Sequence, residues 1–516
     1  MKRTIFLIIA TLLVLGIVLP GCGTTPPPEG DVVYKFTDGK IDIGVVGDAG
    51  QATGDMAWAG ASVAAATINA MGGVNISGVA HNISLTKIDT DEHTDLSGIT
   101  GKLALIANVG SCDFFVGGFR TEAVIVYRDV VMDAEKLFFN CGAATEVLQR
   151  SVVLDYDGYR YWFKTTPYNE HFLAKSVGKM IGAVAKDLRV ALGLSPTAML
   201  KAVIISEDLK WARDEQVPAI KAILPGLNVN WTATYLVSST DPGPTTNAVG
   251  WAVGNWTPDI IIPLYSGTMG AVYAGTLRSY TGANLSNAMS VGINVYAQLK
   301  APWTGSGTNL TSPPPGGPHC YGQVHLDTWA DGVNQTSKTA GFLAAMGAAL
   351  GGEYPLYTAA TYDALFILKA AVAAKGYLDG AVGAVNATPL IAYLEDPAYS
   401  VEGTVGYGAV YPVAGTTAGG LPALTLAQVQ ALHNIAGYGY TYNANDWKMP
   451  IHTTHDLVYG IGRQTGIGCQ WQWTGAAWKK VGVWPNVGAN LTDQYGDWGF
   501  AYNGTQPIWI PPYVTD

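Results

Sequence analysis

The sequence IDIGVVGDAGQATGDMAWAGASVAAATINAMGG, which spans residues 41–73, contains the signals of a strand, a loop and a helix in that order. Residues 41–46 form an apolar run, and a glycine-rich loop follows over 47–55. The helix predicted over 56–71 is rich in alanine, has apolar residues at helical spacing, and ends at a pair of glycines. An apolar strand that leads through such a loop into a helix is the unit from which parallel sheets are built.

The same strand–helix unit recurs along the chain. Further units are predicted from strands at 84–88, 114–118 and 137–140 and from helices at 96–109 and 121–134. A second series begins after residues 161–167, with strands at 202–206, 229–237 and 259–264 and helices at 172–188, 211–222 and 270–280. Repeated units with apolar strands predict an α/β fold of two doubly wound lobes, each a parallel sheet with helices on both faces.

Two later segments, separated by a strong helix, depart from this alternation. Residues 308–318 include three consecutive prolines and predict a loop near a crossover between the lobes. A strong helix is predicted over 357–374. Residues 403–516 are rich in glycine, tryptophan and tyrosine and have short β-like runs, so their topology is left open.

The N-terminal residues predict export. Lys2 and Arg3 precede an apolar run over 5–19, and Leu-Pro-Gly-Cys follows at 19–22. A positively charged N-terminal region, a short apolar segment and small residues at the cleavage site are typical of a secretory signal peptide, here over 1–21. Leu-x-Gly-Cys also resembles the lipobox of bacterial lipoproteins, which implies that Cys22 becomes the lipidated first residue. A plain signal peptide with an incidental cysteine is the alternative.

The tether sequence and the overall composition are consistent with an exported protein. We expect its lipid anchor to be its only attachment to the membrane. Residues 22–40 include three consecutive prolines and predict an extended tether that holds the folded lobes clear of the membrane. The formal net charge of -10 argues against a nucleic-acid partner, which needs a concentrated basic surface. Charged residues make up 13% of the chain, about half the usual share.

Four cysteines remain besides Cys22, and export permits disulfides. Cys112 precedes one predicted strand and Cys141 follows another, which puts them at opposite ends of a sheet. A bridge between Cys320 and Cys469 is the only pairing that we consider. Asn-x-Ser/Thr sequences recur along the chain, so surface glycosylation and a mere richness in asparagine and threonine both stay open.

Two loops that follow predicted strands have the geometry of ligand-binding loops. Gln51 and Thr53 lie in the first, which lacks the spacing of a dinucleotide or phosphate-binding loop. A loop at the carboxyl end of a parallel strand, opening a helix, presents N–H groups to a ligand. The second contains Arg120, Thr121 and Glu122. Thr121 either caps the helix only or also binds a ligand carboxylate. Arg120 and Glu122 either pair with each other or flank a zwitterion.

Other candidate motifs predict no chemistry. His452, His455 and Asp456 are residue types that bind metals, but they match no zinc spacing and are interpreted as a loop without a metal. The acidic pair Glu207 and Asp208 is interpreted as a solvated strand end. No nucleophile elbow, cysteine–histidine dyad or obvious carboxylate pair is present. We therefore expect neither an enzyme nor a cofactor.

Several short blocks resemble the leucine/isoleucine/valine-type periplasmic binding proteins, the type 1 class. The opening of that family is matched by IGVVG at 43–47, GDMAWAGA at 54–61 and INAMGG at 68–73. Later blocks follow in the family's order, namely FVGG at 115–118, FNCGAAT at 139–145, FKTTP at 163–167 and YDA at 362–364. The resemblance covers about residues 41–410 and rests on the order and spacing of these blocks.

The resemblance implies two lobes joined by crossover strands, with a ligand in the cleft and a hinge motion that closes it. The first lobe is expected over 41–165 with about 322–395 returning to it, and the second over 166–321 with about 396–516. The implied function is an extracytoplasmic receptor that delivers a small polar solute, an amino acid or a related amide, to the permease subunits of an ABC importer. A sensory receptor without a permease and a surface glycan-acting enzyme are the alternatives.

The resemblance also implies binding residues. In the first lobe, Thr121 falls where the family has a serine on the ligand carboxylate. Ala144 falls at a family threonine, unless the neighbouring Thr145 takes that role, and Ala143 lies beside them.

The remaining implied binding residues lie in the crossover and the second lobe. Tyr168 and Asn169 fall in the crossover that contacts the ammonium end, and Tyr265 and Ser266 face the cleft from the second lobe. Asn294 falls near the position where the family has an acidic residue that pairs with the ligand's ammonium group. Because an asparagine amide is uncharged, it would attract an ammonium group less strongly.

The lipobox reading predicts that Cys22→Ser leaves the precursor without lipid, so that the protein is released or misprocessed. Mass spectrometry of the mature N-terminus checks this, with the wild-type chain as the control. A wild-type chain whose N-terminus lies elsewhere, or whose Cys22 has no lipid, would contradict the reading.

Overall fold

The computed structural model describes residues 30–167, 169–282, 286–300, 310–314, 317–395, 401–404, 407–408, 455, 466–485 and 504–515. Its two largest sheets have six and seven strands, and helices pack against each of them. This arrangement confirms the predicted α/β fold with two lobes. The predicted signal peptide and residues 22–29 of the predicted tether lie outside the described residues. The rest of the predicted tether is not a free linker, because residues 33–36 form a strand that pairs with residues 383–386, and Tyr34 and Phe36 are buried in the core of the first lobe.

The strands follow one another along the whole described chain. They are β1 Val33–Phe36, β2 Lys40–Gly47, β3 Val74–Ile76, β4 Val79–Asp89, β5 Phe114–Gly117, β6 Phe138–Asn140, β7 Trp162–Lys164, β8 Leu200–Glu207, β9 Val229–Val237, β10 Ile260–Tyr265, β11 Met289–Asn294, β12 Val324–Asp327, β13 Tyr377–Asp379, β14 Val382–Asn386, β15 Val401–Glu402, β16 Tyr407–Gly408, β17 Ile467–Trp473 and β18 Trp478–Trp484.

The helices alternate with these strands through both lobes. They are α1 Ala52–Ala70, α2 Ile99–Asn108, α3 Thr121–Asp133, α4 Glu146–Leu154, α5 Tyr156–Tyr159, α6 Glu170–Ala191, α7 Val217–Ile223, α8 Pro242–Trp251, α9 Met269–Gly282, α10 Thr339–Ala349, α11 Thr361–Lys375, α12 Ala387–Glu395 and α13 Pro512–Thr515. Short 3₁₀-helices occupy Thr37–Gly39, Leu224–Leu227, Val295–Gln298 and Tyr357–Ala360, and Trp211–Gln216 and Ala252–Trp256 are π-helical.

The first sheet has the order β3-β4-β2-β5-β6-β7 and is parallel apart from the β3–β4 pair. Ile43 lies opposite Leu85 on one side and Phe114 on the other. Val116 of β5 and Phe138 of β6 are likewise fully buried. Strands covered on both faces consist of nearly continuous apolar residues, which is why they were predictable.

The second sheet has the order β18-β17-β12-β11-β10-β8-β9. Strand β12 pairs in parallel with β11, and Val324 and Leu326 are buried in the core of the second lobe. Residues 324–327 therefore belong to the second lobe, although a return to the first lobe was expected from about 322. The return is made by α11, whose Leu365 and Val372 pack in the core of the first lobe.

A close helix contact marks that return. Gly60 of α1 lies against the backbone of Ala359, and a Cβ atom at position 60 would overlap the Ala359 carbonyl oxygen. The Thr361 hydroxyl donates a hydrogen bond of 2.7 Å to the Ala57 carbonyl of the same helix. The absence of a side chain at Gly60 thus allows the returning chain to approach α1.

The bridge between Cys320 and Cys469, the one pairing that we considered, is not formed. Both thiols are free and buried, as are those of Cys112 and Cys141. Cys320 packs in a cluster with Tyr354, whereas Cys469 packs in a separate small cluster. The two side chains therefore pack among different neighbours, and no sulfur–sulfur bond joins them.

Part of the aromatic C-terminal region is core of the second lobe. Strand β17 pairs antiparallel with β12 and with β18, so this hairpin extends the second sheet. Trp471 is fully buried, and its indole N–H donates a hydrogen bond of 2.7 Å to the Ala297 carbonyl. The indole N–H of Trp478 donates one of 2.6 Å to the Ser312 carbonyl.

Trp471→Ala is expected to lower the free energy of unfolding by about 3–5 kcal/mol, because it leaves a cavity and removes a buried hydrogen bond. Trp251→Ala is the matched control, since that side chain is 52% exposed and its loss should cost less than about 0.5 kcal/mol. Urea unfolding followed by circular dichroism measures both. Equal effects would contradict the packing of the hairpin into the lobe.

Candidate ligand-binding cleft

A cleft of about 820 Å³, part of it open to solvent, lies between the lobes. Side chains from both lobes and from the crossover line it. They are Phe119, Arg120, Thr121, Gly142, Ala144, Thr166, Pro167, Leu173, Trp211, Ser266, Ile293, Val295, Gln298, Leu326, Asp327, Thr328, Gln335, Tyr357 and Gly466. Most of these residues follow the carboxyl ends of parallel strands, where open α/β sheets bind ligands.

The loop after β5 turns sharply into the cleft. Gly117 and Gly118 have φ angles of 113° and 80°, a region that side chains disfavour. A Cβ atom at Gly117 would also overlap the Val46 carbonyl oxygen of the neighbouring strand. This turn brings Arg120 and Thr121 to the mouth of the sheet.

Arg120 links the two lobes. Its Nη1 donates a hydrogen bond of 2.6 Å to Ser266 Oγ and lies 3.6 Å from Glu207 Oε2. The Ser266 hydroxyl donates to the same Glu207 oxygen at 2.6 Å, and the Gly267 N–H donates to Oε1 at 3.1 Å. The Arg120 side chain is 3% exposed and that of Glu207 is 0% exposed. Glu207 is therefore a buried partner of Arg120, and its interpretation as a solvated strand end is wrong.

A second buried carboxylate lies beneath the same loop. Glu92 Oε2 accepts hydrogen bonds from the backbone N–H groups of Arg120 at 2.9 Å and Phe119 at 3.2 Å, and from the Tyr127 hydroxyl at 3.1 Å. Burial raises the pKa of Glu92 above its usual value. The N–H groups that we expected to meet a ligand anion are thus bonded to a side chain of the protein itself.

A further ion pair lies in the wall of the second lobe. Lys480 Nζ lies 2.6 Å from Asp327 Oδ2, and both side chains are buried. Burial would raise the pKa of Asp327, but the Lys480 ammonium group lowers it below its ordinary value. The Asp327 Oδ1 atom accepts the Thr328 N–H at 2.6 Å.

Four of the predicted binding residues line the cleft together. They are Arg120, Thr121, Ala144 and Ser266. Thr121 is the first residue of α3 and makes no side-chain cap, because Arg120 occupies the cap position. Its hydroxyl makes no hydrogen bond to any described residue in the geometry found here, so it can face a solute.

Two predicted residues join the lobes outside the cleft. Glu122 Oε1 accepts the Lys210 N–H at 2.6 Å. The Thr145 hydroxyl donates to Glu215 Oε1 at 3.1 Å and caps α4 by accepting the Val147 N–H. Their side chains therefore act between lobe surfaces rather than on the cleft wall.

Six predicted residues do not line the cleft, because backbone groups or the core hold them. The Thr53 carbonyl accepts the Thr358 hydroxyl at 2.7 Å, Asn169 caps α6 through the Phe172 N–H, and Asn294 Nδ2 donates to the Gly270 carbonyl. The others are Ala143 in the core of the first lobe, Tyr265 in the core of the second, and Gln51 at the cap of α1. Tyr168 lies outside the described residues.

His455 is the described member of its predicted loop motif, and it contacts the first lobe. Its Nδ1 lies 2.6 Å from the Trp162 carbonyl oxygen and its Nε2 lies 2.7 Å from Glu395 Oε1. The ring stacks on Phe163 with centroids 4.1 Å apart. His452 and Asp456 lie outside the described residues.

The sequence did not reveal the role of four buried charged groups that hold the walls of the cleft. They are Glu92, Glu207, Asp327 and Lys480. Each pairs with a residue distant in sequence. The position of Glu207 at the end of a predicted strand was the one available signal, because strand ends meet at the cleft.

No protein-family profile and no curated protein matches this chain. Solved structures do match. A solute-binding protein of an ABC transporter from R. palustris, in complex with benzoate, has a TM-score of 0.56 at 14% identity, covering 86% of this chain and 96% of that chain. An ABC transporter substrate-binding protein from Sphaerobacter thermophilus has a TM-score of 0.57 at 13% identity, covering 86% and 97%.

A third similar structure is the branched-chain amino acid transporter substrate-binding protein LivJ from Streptococcus pneumoniae, in complex with isoleucine. Its TM-score is 0.54 at 18% identity, covering 72% of this chain and 92% of that chain. The chain thus has the fold of the type 1 periplasmic binding proteins, with two lobes around a cleft. Among the described residues, no helix combines the length and apolar character that crossing a membrane requires.

Arg120→Gln is expected to favour separation of the lobes. Breaking a buried ion pair leaves Glu207 uncompensated, at a cost of about 3–5 kcal/mol, unless the lobes open and water reaches the carboxylate. Small-angle X-ray scattering of the ligand-free protein should then show a larger radius of gyration. Arg213→Gln is the control, because its pairs with Asp208 and Asp214 are exposed. Unchanged scattering in Arg120→Gln would contradict this role.

Proposed function

We propose that the protein is an extracytoplasmic solute-binding receptor that captures a small solute between its lobes and delivers it to an ABC importer. The observation that supports this proposal is the cleft. Both lobes form its walls, and Arg120 of the first lobe contacts Ser266 and Glu207 of the second across it. A solute held by both walls would favour the closed arrangement over the open one, which is the signal that a transporter can read. The named functions of the proteins with this fold support the same proposal.

The cleft favours a solute with one polar end and a compact apolar body. Phe119, Leu173, Trp211 and Ile293 contribute apolar wall, as is usual in small-molecule sites. At the polar end, the Arg120 Nε–H has no hydrogen-bond partner among the described residues. A carboxylate or amide of the solute would accept from this group and from the Thr121 hydroxyl.

An amino acid or a related amide fits this description and is the solute that we propose. The proteins with this fold bind isoleucine in one case and benzoate in another, and both ligands combine a carboxylate with an apolar body. Ser266 lines the cleft, and its hydroxyl oxygen can accept a hydrogen bond from an ammonium or amide group.

We also propose that lipidation at Cys22 holds the receptor at the outer face of the cell membrane, where the permease subunits of the importer are its partners. The lipobox resemblance and the proline-rich tether support this location. A sensory receptor would share the cleft but have no permease partner.

A thermal-shift screen of amino acids, short amides, aromatic acids, sugars and nucleosides should identify a stabilising ligand. Thr121→Ala should then weaken its binding ten- to a hundredfold, because one hydrogen bond to a charged group contributes about 1.5–3 kcal/mol. Calorimetry of wild type, Thr121→Ala and the exposed-site control Thr240→Ala measures this.

An unchanged affinity in Thr121→Ala would remove that hydroxyl from the site. Stabilisation by no compound of these classes would argue against solute capture in the cleft. Turnover of a bound compound by the purified protein would instead favour the surface enzyme.

A further inference from the structure

Three potential metal ligands converge behind the cleft wall of the second lobe. His325 and Asp327 are two residues apart on β12 and therefore project from the same face of the strand. Cys469 on β17 is the direct cross-strand partner of His325. The imidazole nitrogen, carboxylate oxygen and sulfur atoms lie within 4.8 Å of one another, and all three residues are buried.

The His325 ring is the unexplained member of this cluster. It is 1% exposed, and neither Nδ1 nor Nε2 has a hydrogen-bond partner among the described residues. Asp327 Oδ2 lies 3.8 Å from Nε2, which is too far for a hydrogen bond. Buried polar atoms are normally paired, so an imidazole with two unpaired nitrogens calls for a partner that the protein alone does not supply.

We propose that His325, Asp327 and Cys469 bind a divalent ion of the zinc class. Nitrogen, thiolate sulfur and carboxylate oxygen are the donor types that zinc takes in proteins. Zinc–ligand bonds of about 2.0–2.3 Å place the ligand atoms of a tetrahedral site about 3.3–3.8 Å apart. Modest side-chain rotations would close the present set to that size, and the fourth position would go to water.

Lys480 is the cation that competes for this site. Its ammonium group lies 2.6 Å from Asp327 Oδ2. It also donates to the Gln298 carbonyl at 3.1 Å and lies over the Tyr354 ring, 4.6 Å from the centroid. Lys480 therefore keeps two partners when the carboxylate turns to a metal ion.

Binding of the ion releases one proton. The Cys469 thiol loses its proton to solvent as the sulfur–metal bond forms, and the resulting thiolate and the Asp327 carboxylate balance the two charges of the ion. The ion would join β17 of the C-terminal hairpin to β12, whose Asp327 lines the cleft. It would thus cross-link the two strands and stabilise the second lobe, as a disulfide does in many exported proteins.

Cobalt(II) is the probe, because its complexes with thiolate absorb in the near ultraviolet and its tetrahedral complexes absorb in the visible. The full chain, reduced and freed of metal by a chelator, is titrated with cobalt(II) and then with zinc(II). We expect one ion per chain, a thiolate–cobalt band, loss of the spectrum when zinc is added, and a higher melting temperature with zinc.

Variants assign the ligands. Cys469→Ser should abolish the thiolate band, and His325→Gln should weaken cobalt binding more than about tenfold. Cys320→Ser is the matched control, because this thiol is also free and buried but packs in a different cluster, and its spectrum should equal that of the wild type. Lys480→Gln should tighten binding, because it removes the competing ammonium group.

Proton release by the wild type gives a test that needs no variant. Adding zinc(II) to the weakly buffered protein should release about one proton per ion bound. Absence of a thiolate band, a band that survives in Cys469→Ser, or a band lost in Cys320→Ser would overturn the proposal. If Cys469→Ser does not fold, zinc binding without proton release overturns it.

Discussion

One buried ion pair, between Arg120 of the first lobe and Glu207 of the second, joins the two lobes at the cleft. Removing two charges from water is costly, and the cost is offset only if further hydrogen bonds satisfy the remaining atoms. Ser266 and Gly267 provide these bonds to Glu207. The pair therefore needs both lobes in place, which makes it a contact between lobes rather than a support for either lobe alone.

The same principle organises the loops on either side of the cleft. Glu92 accepts the N–H groups at the end of β5, and Glu207 accepts those at the end of β10. Each loop thus has an internal carboxylate where a ligand anion is usually expected. A solute must then bind mainly through side chains such as Thr121 and through apolar contact.

The fold was largely predictable because its parallel strands are buried on both faces and consist of apolar residues. Strand β10 is one example, because all of its residues are buried and its sequence is almost entirely apolar. Strand β12, Val324–Asp327, was not predicted, since its polar His325 and Asp327 interrupt the pattern. Among the residues that line the cleft, those just after strand ends, such as Arg120, were predicted from the sequence. Lys480 was not, because it reaches Asp327 only through the pairing of β18 with β17 and of β17 with β12.

The C-terminal hairpin shows why composition alone misjudges that region. Its tryptophans suggest a surface for glycans, yet Trp471 and Trp484 are buried in the second lobe. The hairpin covers the β12 edge of the second sheet, which would otherwise expose unpaired backbone groups. It also brings Lys480 to Asp327, which lines the cleft, and the ammonium group lowers the pKa of that carboxyl. The C-terminal hairpin therefore supports one wall of the cleft. Substitutions of its buried residues should alter ligand binding through the position of Asp327.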